Sequence, residues 1–282
     1  MIRPLGLIHG HYECRSLNET VPVFIDLLAL EVVEKGHRQV IVKHPNTDWQ
    51  LVVHEAGSDA ADKPVMNHYG VRVSSPEEVD AAWRYLSEHK DQYRLGKITK
   101  PRETHLAYSL YFKEPGGNYW EIECYLPQAF TLASVYAPHW KNPWPENRFA
   151  DKGYVPQGLT HGTLECNDKA VTELFLRHVL GLQIVPGERP VIYFKHPATP
   201  WYVVVVPVKN RRYLNSNSRF TLELGSPDAV DKAHRNFAKA GKEIGVTELG
   251  ELKRAGANVS FFLSDPDRNW WEITAKASRD AH

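Results

Sequence analysis

Glu121 is a charged residue in a strand that is otherwise apolar and aromatic. The segment YFKEPGGNYWEIECY, from Tyr111 to Tyr125, has two such runs separated by a Pro-Gly-Gly-Asn turn, which is typical of a β-hairpin. Strand side chains alternate between faces, so Glu121 points away from Trp120 and Ile122. Glu121 therefore either lies on a wet face or points inward, where its charge needs a cation as partner.

Histidine is the other abundant metal-ligating residue type. The chain has 14 histidines, so a single histidine is weak evidence and only a constellation counts. Several lie in an internal repeat: GLIHGHYEC from Gly6 recurs as GLTHGTLEC from Gly158, and KHPNTDW from Lys43 recurs as KHPATPW from Lys195. EPGGNYWEI recurs as DPDRNWWEI in the same order. The protein is therefore two copies of one domain.

The elements that would position these residues follow a fixed order. In the first copy a strand around His9 precedes a helical stretch from Val21 to Leu30 and two more strands. A strand from His68 to Val73 then precedes a helix beginning at Pro76 and two or three final strands. This is a βαβββ unit written twice. The pattern predicts an α+β fold with a strongly curved sheet and the helices outside.

The repeat also sets the expected domain organisation. The two tandem domains are predicted over residues 1–127 and 158–282. The connector over 128–157 is rich in tryptophan and proline. It is too aromatic for a flexible tether, and we expect it either to pack between the domains or to cover a cavity.

Composition limits the partners. Lys plus Arg and Asp plus Glu are both 34, so the net charge gives no reason to expect nucleic acid or an anionic membrane as a partner. The beginning of the chain has no signal-peptide pattern, and the densest apolar run, WYVVVVPV, is too short to span a bilayer. Three cysteines in strand-like sequence predict reduced, buried thiols in a cytoplasmic protein.

These motifs resemble those of the vicinal oxygen chelate superfamily, which includes glyoxalases, bleomycin resistance proteins and dioxygenases. The likeness lies in the paired βαβββ units, the Gly-Leu-x-His first strand, the second His-led strand and the Pro-Gly-Gly-Asn-x-x-Glu ending. The duplication further resembles the two-domain type I extradiol ring-cleavage dioxygenases. The resemblance covers nearly the whole chain. It implies that each domain pairs its two units into a curved, partly closed mixed sheet around a cavity.

The resemblance also implies a ligand set. The matching positions are His9, His68 and Glu121. Two imidazoles and one carboxylate on one side of an ion suit non-haem Fe(II), since they leave open positions for a bidentate substrate and O₂. His11 shares a face with His9 and is a rival, but its counterpart in the second copy is Thr163, so His9 is preferred.

Two further residues are predicted to be catalytic. The hairpin register places Tyr111 opposite Glu121, with β-carbons about 5 Å apart, so its hydroxyl could reach a substrate oxygen. The same tyrosine-to-glutamate spacing is found in the extradiol enzymes, and we expect a hydrogen-bonding or acid-base role. The acid-base histidine of that family is replaced by Arg102 at the matching position. His105 lies near this position in the sequence but does not match it, and it is the candidate for the acid-base role.

The second copy departs from this pattern. It has Arg219 where the first copy has His68, and Phe262 where the first has Tyr111. Arginine cannot lose its proton to become a ligand. We therefore expect a metal in the first domain only, with His161 and Glu272 left as a hydrogen-bonded relic. In the extradiol enzymes it is generally the second domain that is active, so this chain would form a distinct subgroup.

The preferred hypothesis is an Fe(II)-dependent extradiol dioxygenase that cleaves a small aromatic diol with O₂. One rival is an isomerase or lyase of the glyoxalase type that uses Mn, Zn or Ni as a Lewis acid. Such sites take a fourth protein ligand, for which the segment WQLVVHE offers only Gln50, His54 and Glu55. The other rival is a non-catalytic protein that binds a small hydrophobic molecule. A homodimer is expected from the fold.

Overall fold

The chain forms four βαβββ units. The computed structural model describes residues 1–104, 106–127, 147–185, 191–199 and 201–276. The helices in these ranges are α1 (Leu17–Leu28), α2 (Pro76–Glu88), α3 (Lys169–His178) and α4 (Pro227–Ala240). Short 3₁₀ turns lie at Gly57–Asp59, Asn147–Phe149 and Lys242–Ile244.

The strands divide equally between the units, apart from one short extra strand in the last. The first half contains β1 (Gly6–Cys14), β2 (Glu31–Lys35), β3 (Gln39–Lys43), β4 (Gln50–Glu55), β5 (His68–Arg72), β6 (Arg102–Thr104), β7 (Ala107–Lys113) and β8 (Tyr119–Tyr125). The second contains β9 (Gly158–Cys166), β10 (Gln183–Val185), β11 (Ile192–Lys195), β12 (Tyr202–Pro207), β13 (Arg219–Glu223), β14 (Glu248–Leu249), β15 (Lys253–Ala255), β16 (Asn258–Ser264) and β17 (Trp270–Lys276). The predicted α+β class is confirmed.

Each sheet takes one unit from each half of the chain. The nine-stranded sheet has the order β14-β16-β17-β13-β1-β4-β3-β2, with β15 beside β16. The eight-stranded sheet has the order β10-β11-β12-β9-β5-β8-β7-β6. The joins are the antiparallel pairs β1–β13 and β5–β9. The resemblance implies pairing of the two units within one half, whereas the structure pairs the first unit with the fourth and the second with the third.

Local sequence explains how the units begin their helices. Ser75 is the N-cap of α2 and accepts a hydrogen bond from the backbone N–H of Glu78, with proline at the start of the helix. Ser226 caps α4 in the same way, accepting from Ala229. The repeated Ser-Pro pair therefore fixes the same helix start in both halves.

The turn that leads into β8 is held by a buried carboxylate. Glu114 accepts hydrogen bonds from the backbone N–H of Gly116 and from the backbone and side chain of Asn118. In the second half Asp265 accepts from the backbone N–H of Asn269 in the same way. These contacts explain the repeated acid-Pro-x-x-Asn motif, which fixes where β8 and β17 begin.

An aromatic core joins the two sheets. Trp49 and Trp201, which end the repeated Lys-His-Pro segments, stack with ring centroids 3.7 Å apart. Tyr69 packs against the bare backbone of Gly10, where a Cβ would lie 2.6 Å from its hydroxyl oxygen. Since Tyr69 neighbours His68 along β5, its side chain points to the opposite face of the sheet. The core therefore occupies one face of each sheet and leaves the other for a site.

The connector is described only in part. Residues 128–146 lie outside the described residues, and with them lies the prediction that the connector covers a cavity. In the described part, Phe149 and Tyr154 are buried, and the Tyr154 hydroxyl donates to the carbonyl of Leu27 at 3.1 Å. This end of the connector packs on the first half of the chain.

The three cysteines, Cys14, Cys124 and Cys166, are free and buried, as predicted. Across the described ranges, the helices are too short or too polar to cross a lipid bilayer.

Candidate metal centre

Three buried side chains converge on one face of the eight-stranded sheet. The Nε2 atom of His68 lies 3.1 Å from Oε2 of Glu121, and the Nε2 atom of His161 lies 3.2 Å from the same oxygen. The two Nε2 atoms are 3.3 Å apart. His68 and Glu121 are each 4% exposed and His161 is 3% exposed. This is the group of potential metal ligands found among the described residues.

Strand register explains the convergence. Gly70 in the middle of β5 pairs with Glu121 of β8 on one side and with His161 of β9 on the other. His68 lies two residues before Gly70 and so shares its face. The register shifts between Gly70 and Val71 where β5 meets β9, which marks a β-bulge beside the site. The three ligand-type residues therefore come from adjacent strands of one sheet.

The histidine tautomers follow from their outer contacts. Nδ1 of His68 lies 2.6 Å from the carbonyl oxygen of Val65, which can only accept, so Nδ1 carries the proton. Nδ1 of His161 lies 2.9 Å from the Thr160 hydroxyl oxygen, and that hydroxyl donates to Glu123 at 3.0 Å. Both imidazoles therefore turn Nε2 toward Glu121, where it can hold a proton shared with the carboxylate or, once that proton is lost, bind a cation through its lone pair. Such outer partners commonly fix the orientation of metal-bound histidines.

The electrostatics favour a positive charge at this point. Burial disfavours the charged form of His161, but the neighbouring Glu123 and Glu121 carboxylates outweigh the effect of burial and raise the pKa of His161 to about 9. Burial likewise opposes ionisation of Glu121, yet hydrogen bonds from His161 and His68 hold the pKa of its carboxyl well below the usual range. Arg72 forms an ion pair with Glu123 at 3.2 Å, so Glu121 is the carboxylate that requires a proton or a metal cation to offset its charge.

The geometry fits a metal ion. Nitrogen and oxygen ligands lie about 2.0–2.2 Å from ions such as Zn²⁺. Ligands at that distance are about 3.0 Å apart at right angles and about 3.4 Å apart at tetrahedral angles. The three observed separations, 3.1, 3.2 and 3.3 Å, fall in this interval. Without a cation or extra protons, three lone-pair-bearing atoms would face one another.

A pocket opens from this cluster. The empty space in it is about 450 Å³ with open solvent included, and its walls carry valine, methionine and four tyrosines. The lining residues are Met66, His68, Tyr111, Glu121, Glu123, Tyr125, His161, Thr163, Val191, Tyr193, Tyr202, Val204 and Val206. The described lining contains neither lysine nor arginine. Apart from two histidines and two carboxylates, the described lining is aromatic, apolar or uncharged.

Tyr111 lies where the hairpin register predicts. It pairs with Glu121 across β7 and β8, and its ring centroid is 5.1 Å from that of His68. Burial and the adjacent Glu121 carboxylate raise its pKa above the ordinary value, so the phenol stays neutral and can donate a hydrogen bond. His105, the other predicted catalytic residue, lies outside the described residues.

The structure does not bring His9 to this cluster. Its strand, β1, belongs to the nine-stranded sheet and pairs with β13 and β4, so its neighbours are Thr221 and Gln50. The predicted set of His9, His68 and Glu121 therefore needs correction, because the units pair across the halves of the chain. His161, which the sequence indicates to be a relic, occupies the position expected for His9.

The equivalent face of the nine-stranded sheet, here called the second cup, carries His9, Arg219 and Glu272. Arg219 donates from Nε to Glu272 at 2.9 Å, and Thr221 donates to the same carboxylate at 3.1 Å. His11 contacts the Thr221 hydroxyl at 2.8 Å. Glu272 is thus satisfied by an arginine and a hydroxyl, and the expectation of a metal in the first domain only stays a prediction.

Comparison with known proteins agrees with this architecture. A family model described as Glyoxalase/Bleomycin resistance protein/Dioxygenase superfamily matches residues 14–122. No curated protein sequence gives a significant match. Glyoxalase I from Zea mays is similar in structure, with a TM-score of 0.66 at 13% identity, over 96% of this chain and 92% of that one.

A candidate dioxygenase from Bacillus subtilis is also similar in structure, with a TM-score of 0.61 at 11% identity, over 99% of this chain and 87% of that one. At these identities the two structures show a shared fold. The matched segment contains His68 and Glu121, and the fold extends over the remaining units. Residues 14–122 are thus similar to the glyoxalase/bleomycin resistance protein/dioxygenase superfamily, and nearly the whole chain shares the fold of the two solved structures.

Proposed function

We propose that the protein is an Fe(II)-dependent extradiol-type dioxygenase that cleaves a catechol-like ring with O₂. His68, Glu121 and His161 would hold the ion. The observation that carries the proposal is the convergence of two imidazole nitrogens and one carboxylate oxygen within 3.3 Å of one another. Two histidines and one carboxylate on one side of an ion are typical of non-haem Fe(II) oxygenases. Bound Fe(II) would bring the diol and O₂ together and pass electron density between them.

Among the described residues no fourth ligand joins the three, which supports this chemistry over the glyoxalase type. The strand beside His161 that would supply it is β12, where Tyr202 pairs with His161. Burial raises the pKa of Tyr202 well above its ordinary value, so its phenol stays protonated and is a poor ligand. Gln50, His54 and Glu55, the fourth ligands considered from sequence, lie on β4 in the other sheet. Within the described residues the centre thus has three protein ligands.

The pocket walls suggest an uncharged aromatic diol. Arg72 is buried beside two of the pocket residues: it forms an ion pair with Glu123 at 3.2 Å, and its guanidinium lies 3.4 Å from the ring centroid of Tyr125. Its charge is therefore offset and covered, and it offers little attraction for a carboxylate on the substrate. The tyrosine and valine walls would exclude water and pack on the ring faces.

Tyr111 would act on the substrate by hydrogen bonding. Its neutral phenol, next to Glu121, can donate a hydrogen bond to a substrate oxygen held near the ligands. The distance between the His68 and Tyr111 rings, 5.1 Å between centroids, leaves the hydroxyl within reach of the ligand cluster. His105 remains a proposed acid-base residue.

A Lewis-acid isomerase or lyase of the glyoxalase type is the second candidate. The specific observation in its favour is the structural likeness to glyoxalase I from Zea mays over 96% of this chain. Mn, Zn or Ni would then replace iron, and Tyr111 would assist proton transfer. A homodimer remains a prediction, although one chain supplies all three ligands by itself.

Metal content and O₂ uptake separate these candidates. Protein purified anaerobically and reconstituted with Fe(II), Mn(II), Zn(II) or Ni(II) should be analysed for metal and tested with neutral and carboxylated catechols. We expect about one iron per chain, O₂ uptake with the neutral catechols and a yellow ring-opened product. Metal binding with isomerisation of a hemithioacetal and without O₂ uptake would favour the second candidate. A protein that binds none of these metals would instead fit a non-catalytic binding role.

A further inference from the structure

Gly70 lies directly beneath the ring of His161. A Cβ at this glycine would lie 2.6 Å from Nδ1 and 2.8 Å from Nε2 of that ring, and closer still to Cε1. Non-bonded carbon contacts are favourable at about 3.5–4.0 Å, so the ring would have to retreat by about 1 Å. The neighbour that must move is a side-chain ring, so the strands themselves can stay in place.

The second cup shows what happens when this position is filled. Thr221 takes the place of Gly70 in the repeat and pairs with His9 just as Gly70 pairs with His161. Both first strands have the same bulge, since the register also shifts between Leu7 and His9. The backbone is thus alike in the two cups. The Thr221 hydroxyl bonds to Glu272 at 3.1 Å, and among the described histidines the one paired with Glu272 is His11, 3.8 Å away, rather than His9.

We propose that Gly70 is a positioning residue for the metal centre: the lack of a side chain at this position lets His161 reach the ion, and Thr221 denies the same place to His9. This inference rests on the metal centre of the proposed function but not on the reaction. Ligand distances in metal sites hold to about 0.2 Å, so a ring displaced by about 1 Å is lost as a ligand. Metal affinity should therefore depend on Gly70 although Gly70 offers no ligand atom.

The loss test uses Gly70→Ala, with Thr221→Ala as the matched variant in the second cup. Each protein is titrated with Co(II) under anaerobic conditions, and the visible absorption reports the number and type of ligands. We expect Gly70→Ala to weaken Co(II) binding by at least about 100-fold and to change the absorption spectrum. Thr221→Ala should bind one equivalent with wild-type affinity. Unfolding by urea and far-UV circular dichroism show that each variant is folded.

The gain test builds a ligand set in the second cup. The Ile8→Thr/Arg219→His variant supplies the counterparts of Thr160 and His68. Adding Thr221→Gly to it should allow a second equivalent of Co(II), whereas the variant that keeps Thr221 should bind only one. Wild-type affinity in Gly70→Ala, or a second equivalent in the variant that keeps Thr221, would overturn the inference.

Failure of the proposed function gives a different result. If the wild-type protein binds Co(II) but its Fe(II) form shows no O₂ uptake, the proposed dioxygenase activity is refuted and the role of Gly70 in metal binding still stands. Wild-type binding that survives His161→Ala would show that His161 is no ligand, and the role of Gly70 would fall with it.

Discussion

Replacing His161 provides the sharpest test of the metal centre, because His9 occupies the same place in the other copy. His161→Ala should remove metal binding, and His9→Ala should leave it unchanged. The two residues follow the same Gly-Leu-x motif, so the pair is matched in local sequence. They differ in their neighbours: His161 lies 3.2 Å from Glu121, whereas His9 lies beside Thr221 and Gln50.

The expected magnitude follows from the contacts. Loss of an outer-shell partner of a metal-bound histidine lowers affinity by about 10–100-fold. Loss of the imidazole itself should exceed the upper end of that range, so we expect a fall of more than about 100-fold, or about 2.7 kcal/mol. In the metal-free protein, His161→Ala also leaves Glu121 with one partner fewer. A broken buried ion pair costs about 3–5 kcal/mol, so the unfolding free energy should fall as well.

The assay is equilibrium dialysis against Fe(II) without oxygen, followed by elemental analysis, with Co(II) in parallel. Far-UV circular dichroism and urea unfolding identify the fraction of each variant that is folded. A His161→Ala protein that is folded and still binds one equivalent with wild-type affinity would refute the assigned ligand set. So would loss of the metal in His9→Ala.

Three further results are expected. Thr160→Val should weaken metal binding by about 10–100-fold without unfolding the protein, since the substitution removes the hydroxyl that lies 2.9 Å from Nδ1 of His161 and fixes its orientation. Equilibrium dialysis measures the metal affinity, and an unchanged affinity would argue against the assigned tautomer of His161. Tyr111→Phe should lower kcat by about 100-fold or more while the metal content stays at the wild-type value, and Phe262→Tyr in the second cup should change neither; equal activity of Tyr111→Phe and wild type would leave the phenol without a role. Burial, helped by the Arg219 cation, lowers the pKa of His54 to about 4, so the unfolded state binds more protons and the stability due to neutral His54 is lost as the pH falls from about 6.5 to about 4. His54→Gln should therefore reduce the difference in unfolding free energy between pH 7 and pH 4.5 by about 1–2 kcal/mol, allowing for partial exposure, and an unchanged difference in urea titrations would contradict this reasoning.

The sequence predicts the local elements of the site because they depend on local chemistry. Strand alternation around Glu121 and the turn held by Glu114 set the face and register of β8. The same register places Tyr111 opposite Glu121, as the structure has it. His68 and Glu121 belong to one βαβββ unit, so their meeting needs only pairing within that unit.

The choice between His9 and His161 depends instead on pairing between units. Both histidines follow the same first-strand motif, and either first strand could join β5 without conflict in its own sequence. Periodicity carries no information about which partner is chosen. The internal repeat does carry information on this choice, because Gly70 of the first half corresponds to Thr221 of the second. Only a residue without a Cβ leaves room for a ring, so the glycine marks the unit whose neighbour supplies a ligand.

Exchange of units between the halves has a consequence for biosynthesis. A nascent chain that has emerged only as far as β8 has the edges of β1 and β5 open, because their partners, β13 and β9, are translated later. Such open edges are prone to pair with other chains, so a chaperone or rapid docking would protect this stage. A metal ion could bind all three proposed ligands only later, since His161 on β9 has not yet been synthesised at this stage.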